Sequence, residues 1–486
     1  MGSSGNTGSP DATLQIPGVS SSWEAVEGYV STVDLRDEKE GWESRHAAGK
    51  ALRKRTPRED HAIWIAPLDR PDPVATVIAS NRDRQSEFVP LRMSRMAESP
   101  FAFLRGAAAV MAWDLARTPV SGINVVIDGD AHLSNFGFYG TAQRSVVFDL
   151  NDFDETTFGP WEFDLKRLVI SVNVVARHNG ANYKARRQAV LRCAGAYREN
   201  TIRFQSMGHL DLWHLHAYPG LRHPMLHPSD KSVAAARKAL EHAALQTNQH
   251  LLERMAQRRA DGTWEFRDDP PVLKRLDRAT ADKVIDGLNA YVNTIAPERR
   301  ALLRCYRVVD VAHRVVGVGS VGTRAYLALL FGNGDEDPLF LQVKEATVPA
   351  LAPYVLPLPA SLSHDGRRVV LGQRTLQASS DILIGWTTID GRPFYVRQMR
   401  NLKGSMVEAK LSGDLLDSYA AACGLLLGRA HSRWGAAAAI AGYCGNSTTL
   451  DEALADFAEA YGDQNDRDYA AFAKAHNAGS VPLPTE

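Results

Sequence analysis

Apolar positions along this 486-residue chain change their period several times, and each change predicts an element. Arg92–Arg117 (RMSRMAESPFAFLRGAAAVMAWDLAR) reads as largely helical; Pro100 suits a first helical turn and Pro119 stops the run. Two β-branched runs follow, VVIDGD and SVVFDL, each predicting a strand that ends in an acidic loop. Leu165, Leu168, Val169, Val172 and Val175 then recur at helical spacing within 162–205, and helical patterns continue through 230–310. Near Val311 the period shortens. RVVGVGSVGTRAYLALLF, a turn at NGDEDP, and LFLQVKEA predict three short strands in series. A helix-like RRVVLGQRTLQASSD precedes two more strands, DILIGWTTI and RPFYVRQM, joined by the hairpin signal Asp390-Gly391. After Lys403 the pattern is helical again.

These changes divide the chain into a disordered Gly/Ser-rich tail (1–20), an N-terminal region and helical lobe (21–310), a small β-rich lobe (311–405) and C-terminal helices that complete the helical lobe (406–486). The mixture predicts an α+β protein. Composition narrows the partners. Lys plus Arg and Asp plus Glu number 56 each, so no charge excess points to nucleic acid or a membrane surface. No run of about 18 apolar residues suggests a membrane span. The start lacks the basic and apolar segments of a secretory signal. The four cysteines lie far apart, as reduced thiols in a cytoplasmic protein would.

The chemistry concentrates between Val125 and Leu168, which holds six aspartates and two glutamates. A lone Gly129-Asp130-Ala131-His132 turn would usually be structural, because Asp and Asn favour turns and helix caps. A second cluster, Asn151-Asp152-Phe153-Asp154, changes the odds. Two consecutive strands would bring both clusters to one place, where repulsion among the carboxylates calls for a cation. Later, Gly317-Val318-Gly319-Ser320-Val321-Gly322 matches G-x-G-x-x-G, a weak signal alone. A dinucleotide site would follow it with a helix. Here a strand follows, and Lys344 lies on the next one, which favours a phosphate-covering turn with a strand lysine. Lys344 shares a strand face with Gln342. A kinase-type lysine pairs with a helix Glu, but the following helix offers only Gln373 and Gln377.

Asp130, His132 and Asn135 in GDAHLSN resemble the H-G-D-x-H-x-x-N loop of aminoglycoside phosphotransferases and related kinase-like enzymes, with Asp128 where those carry His. Gly159 and Asp164-Leu165 resemble the end of the same motif, and this makes Asp152, rather than Asp149, the counterpart of the metal-binding Asp. GDAHLSNFG, NDFDET, GPWEFDLKRL, VGVGSVGT, LQVKEA and GQRTLQASSD resemble an uncharacterised bacterial family, a domain of unknown function near the protein-kinase-like fold, over residues from about 90 to 430. The resemblance implies a two-lobe kinase-like fold, circularly permuted, because the catalytic loop here precedes the Gly-rich loop and the lysine strand.

It also implies ATP and Mg²⁺ as cofactors and a small-molecule acceptor. Gly317, Gly319, Ser320, Gly322 and Lys344 would hold the phosphates. Asn135 and Asp152 would hold the metal, Asp154 being a possible further ligand, and Asp130 would act as base. His132 would position the loop or share the chemistry. Asp164 would tie the loop from a helix start, while Lys166, Arg167 and Arg105 could reach phosphates or pair with acids. Adenylyl transfer, a nucleotide-sensing pseudoenzyme and a dinucleotide-binding redox enzyme are the alternatives. The His-rich segment Phe204–Pro228 is a surface loop or a lid over the acceptor site.

Overall fold

The structure, a computed structural model, describes residues 40–217, 230–315, 317, 319–399, 402, 404 and 406–481. The tail 1–20, and Tyr218, His223 and His227 of the His-rich segment, lie outside the described residues. The molecule is α+β, with a six-stranded antiparallel sheet and three two-stranded ribbons among helices.

The strands, in chain order, are β1 (Asn124–Ile127), β2 (Phe136–Gly140), β3 (Val146–Leu150), β4 (Thr157–Pro160), β5 (Ala256–Arg258), β6 (Trp264–Phe266), β7 (Leu273–Arg275), β8 (Arg307–Arg314), β9 (Ala325–Phe331), β10 (Pro338–Glu345), β11 (Gly385–Ile389) and β12 (Arg392–Gln398). The large sheet runs β11-β12-β10-β9-β8-β7. Asp390 and Gly391 both take positive φ between β11 and β12, the backbone of a two-residue hairpin. The AYLALLF run of β9 is apolar throughout because both faces are covered. Tyr326, Ala328 and Leu330 pack toward the Arg278–Tyr291 helix, and Leu327, Leu329 and Phe331 toward the Asn248–Met255 helix. On β10, Phe340 belongs to the second of these cores, and Gln342 and Lys344 share its face farther along the strand.

Arg92–Arg117 is largely helical, as its pattern predicts, in parts of three helices, Val89–Ala97, Pro100–Gly106 and Ala108–Leu115. Ser99 caps the second, its Oγ accepting from Ala102 N at 3.0 Å, with Pro100 in the first turn. The strands of VVIDGD and SVVFDL do not pair with each other. β1 pairs with β4 and β3 pairs with β2, a strand hidden in the Gly/aromatic run FGFYG. Residues 256–275 contribute β5, β6 and β7 within a stretch of helical expectation; their cores are short, and each gains its partner only in the fold.

The largest core joins β1–β4 to the buried helix Trp161–His178 and to the late helices Gly413–His431 and Thr449–Asn477. No described helix is long and apolar enough to cross a membrane.

Candidate active site

The first acidic loop, which follows β1, is pinned to the helix behind it. Asp164, in the first turn of Trp161–His178, accepts from Asp128 N at 2.7 Å and Gly129 N at 2.9 Å, where the helix dipole favours an anion. His431 Nε2 lies 3.2 Å from Asp164, and its Nδ1 lies 2.8 Å from Tyr197 Oη. Gly129 has φ +81°, and a Cβ there would sit 2.1 Å from Glu155 O. Only glycine lets the two acidic loops approach this closely. Asn151 N donates to Asn135 O at 3.0 Å and joins the loops again.

Asp130 stands between two basic groups. Arg167 Nε donates to its Oδ1 at 2.8 Å, and His132 Nε2 lies 3.5 Å from its Oδ2. Burial pushes the Asp130 carboxyl up to about 7; Arg167 opposes this, and Glu155 and Asp152 add to it. His132 is held well below the ordinary imidazole value by burial and by Arg105 and Arg167, so it is neutral near pH 7. Asn135 Nδ2 donates to Asp130 O at 2.7 Å, leaving the amide oxygen as the end available to a cation. Asp128 is 1% exposed, and among the described residues neither carboxylate oxygen has a hydrogen-bond partner within ordinary distance. Burial and the neighbouring Asp164, Asp130 and Asp152 hold its proton on well above the usual carboxylate range.

The three aspartates of β3 and the second loop have separate surroundings. Asp149 forms a buried ion pair with Arg429 at 2.7 Å and accepts from Ala378 N at 2.9 Å. Asp152 Oδ1 accepts from Phe153 N at 3.1 Å, and the residue lines both cavities of the cleft. Asp154 pairs with Lys344, accepts from Tyr395 Oη at 2.8 Å, and lies 3.4 Å from Ser320 Oγ. Lys344 therefore takes its carboxylate from the second acidic loop, not from the Asp365–Leu376 helix. Burial works against its charge, but Asp152 and Asp154 outweigh it and raise the ammonium above its ordinary value. The helix contributes differently. Arg368 donates to Asp154 O at 2.9 Å and Thr156 O at 2.6 Å, which fixes the loop backbone. Gln373 donates to Gln377 at 2.9 Å, and Gln377 to Leu150 O at 2.8 Å.

The Gly317–Gly322 segment connects antiparallel neighbours β8 and β9. Gly317 and Gly322 have φ +38° and +87°. Gln85 N donates to Gly322 O at 2.8 Å and Arg84 Nη1 to Val321 O at 2.6 Å, so residues 84–85 hold the turn from outside. Two cavities of about 560 and 440 Å³ meet here. Lys344, Gln342, Gln373 and Gln377 line the first, and Asp130, His132, Asn135, Asp154 and Gly319 line the second. Asp152, Gly317 and Ser320 line both. Gly322 lines neither. Among the described residues no three His, Cys, Asp or Glu side chains converge as a ready metal site. Asn135 and Asp152 suit Mg²⁺ all the same, because that ion commonly takes one or two protein oxygens and completes its shell with phosphate and water.

Residues 84–475 match the profile of a family described as an uncharacterized protein conserved in bacteria, DUF2252. The chain belongs to that family. The match spans both acidic loops, the Gly-rich turn and Lys344. No curated protein and no solved structure matches the chain.

Tyr395, Arg368, Arg429 and His431 escape a reading of the sequence. Tyr395 stands opposite Lys344 in the β10–β12 register, a relation no local pattern carries. Arg429 and His431 do stand two apart at the end of the apolar run AAACGLLLG, and buried cations in such a run are a signal that acids lie opposite. Among the described part of the His-rich segment, Trp213 packs under Arg433, with 3.8 Å from guanidinium to ring.

Proposed function

We propose that this protein is an ATP- and Mg²⁺-dependent phosphotransferase acting on a small hydroxyl or amine compound, with a kinase-like two-lobe arrangement whose parts come in circularly permuted order. One observation carries the reading. The Asp130–Asn135 loop, Asp152, the Gly317–Ser320 turn and Lys344 line one cleft although they are dispersed over more than two hundred residues. The Gly-rich turn between antiparallel strands, with no helix after it, disfavours a dinucleotide site.

In this reading the nucleotide occupies the Lys344 cavity and the acceptor the Asp130 cavity. Backbone N–H groups of the glycine turn and the Lys344 ammonium hold phosphate oxygens. Lys344 exchanges part of its contact with Asp154 for them. Asn135 and Asp152 would hold Mg²⁺, which would supply neutralisation of the charge on the transferred group. Asp130 takes the proton of the acceptor as its oxygen or nitrogen bonds to the γ-phosphorus. The bond from that phosphorus to the bridging oxygen breaks, and ADP leaves with the electron pair. Arg167 and neutral His132 orient Asp130.

Purified protein with Mg²⁺ and ATP, assayed for ADP and AMP with and without a metabolite extract, tests the reading. ADP release should depend on extract and fall at least about a hundredfold in Asp130→Ala and Asp152→Ala. Turnover unchanged in Asp152→Ala removes that residue from the site. AMP in place of ADP assigns adenylyl transfer, and ATP binding without turnover assigns a nucleotide sensor.

A further inference from the structure

The Asp130 cavity contains cations that no carboxylate of the described chain pairs. Several of its charged groups are matched: Asp130 with Arg167, Asp154 with Lys344, Glu345 with Arg324 and Arg392, and Asp365 with Arg368. The carboxylates of Asp83, Asp128, Asp152 and Glu155 line it as well. Arg84, Arg92 and Arg105 line the same cavity, and none forms a salt bridge among the described residues. Arg92 is 2% exposed; it donates only to neutral acceptors, Asn81 Oδ1 at 2.8 Å and Gly106 O at 2.6 Å, and its buried Nε has no partner. Arg84 donates hydrogen bonds to two backbone carbonyls, Val321 O and Ser80 O, with Glu155, Asp154 and Glu345 as more distant acidic neighbours.

Arg105 is the least satisfied. Its guanidinium makes no hydrogen bond to the described chain, its Nε is buried without a partner, and it lies 5.9 Å from the Phe101 ring. Its charge bears directly on His132, which places it beside the Asp130 loop. Desolvated guanidinium groups without a counter-charge are costly, and their fork of donors matches carboxylate and phosphate oxygens.

We propose that Arg84, Arg92 and Arg105 form an anion subsite on the Asp130 side of the cleft, and that the acceptor carries a carboxylate or a phosphate. None of the three lines the Lys344 cavity, so the anion they hold is not that of the nucleotide. The site is an acceptor site only if the cleft is that of a phosphotransferase, as proposed above; anion binding itself does not depend on that.

Calorimetric titration of the full chain with inorganic phosphate and with malonate, and glycerol as neutral control, tests the subsite. Mg·ADP is titrated separately. Both anions should bind saturably and glycerol should not. Arg105→Ala should weaken both anions by about tenfold or more, while ADP affinity moves by less than about threefold. Arg105→Lys, which keeps the charge and the stem, should fall between and covers the case that the alanine variant misfolds. Anions binding no better than glycerol, or equally to wild type and both variants, overturns the subsite. ADP affinity falling in step with phosphate affinity overturns the acceptor assignment and gives the arginines to the nucleotide. If ADP fails to bind while phosphate binding still depends on Arg105, the subsite stands and the nucleotide reading fails.

Discussion

Asp130 and Asp154 each carry a cation in the same cleft, but the two pairs are made by different means. Asp130 meets Arg167, 37 residues on. Both belong to one continuous segment: β1, the loop it leads into, and a helix whose first turn grips that loop through Asp164. Asp154 meets Lys344, 190 residues on and in a different sheet. The first pair is set by local chain geometry. The second exists only because the large sheet docks on the acidic loops, with Arg368 fixing the loop and Tyr395 sharing the carboxylate. Docking, more than the acidic motif, makes the cleft.

Asp154→Ala should be the most damaging break in this comparison. It leaves the Lys344 ammonium buried with Asp152 as its remaining acidic neighbour. A fully buried broken pair costs about 3–5 kcal/mol; with the Asp154 side chain 22% exposed, about 2–3 is expected, read by urea unfolding. Adding Lys344→Met should return part of the loss. A double-mutant coupling near zero would show that the two halves are not held by this pair.

The local pair is sharpened by pH. Asp130 is pushed up to about 7, and in the proposed reaction it would serve as base only when ionised, so turnover should rise between about pH 6 and 8. Arg167→Ala removes the cation that opposes the upward shift, and the acid limb should move to higher pH. For folding the sign is opposite. The folded chain keeps the proton that the unfolded chain loses near its usual value of about 4, so this group's contribution to stability falls from there up to about pH 7. An acid limb unmoved by Arg167→Ala would detach Asp130 from the pH profile.

Ser320→Ala should have the smallest effect. At 3.4 Å its bond to Asp154 is long, and a stability change under about 1 kcal/mol is expected. A larger loss by thermal unfolding would mean that the glycine turn, not Lys344, anchors Asp154.

Much of the site was legible because its residues repeat at short spacing. Asp130, His132, Asn135 and Asp152 lie within one short stretch, and the glycines and Lys344 within another. Asp164 was readable as a loop tether because it stands at a helix start, where its carboxylate can reach loop amides. The absence of a helix Glu opposite Lys344 was also visible, but its replacement was not. The spacing of Asp152 and Asp154 reads as a pair of metal ligands; that Lys344 reaches Asp154 follows only from the docked sheet. The β1–β4 and β2–β3 pairings were missed because strand partners are decided by packing rather than by neighbouring residues.

The sequence by itself determined the family, the α+β class, the hairpin at Asp390-Gly391 and the residue types at the cleft, since glycine conformations, helical period and charge are local properties. Tertiary structure alone decided that Lys344 answers Asp154, that Arg429 and His431 brace Asp149 and Asp164 from the far end of the chain, and that Arg84, Arg92 and Arg105 line the cleft without an ion pair among the described residues. A charge acquires a partner only through distance, and these distances are set by how the sheet and the late helices pack on the acidic loops.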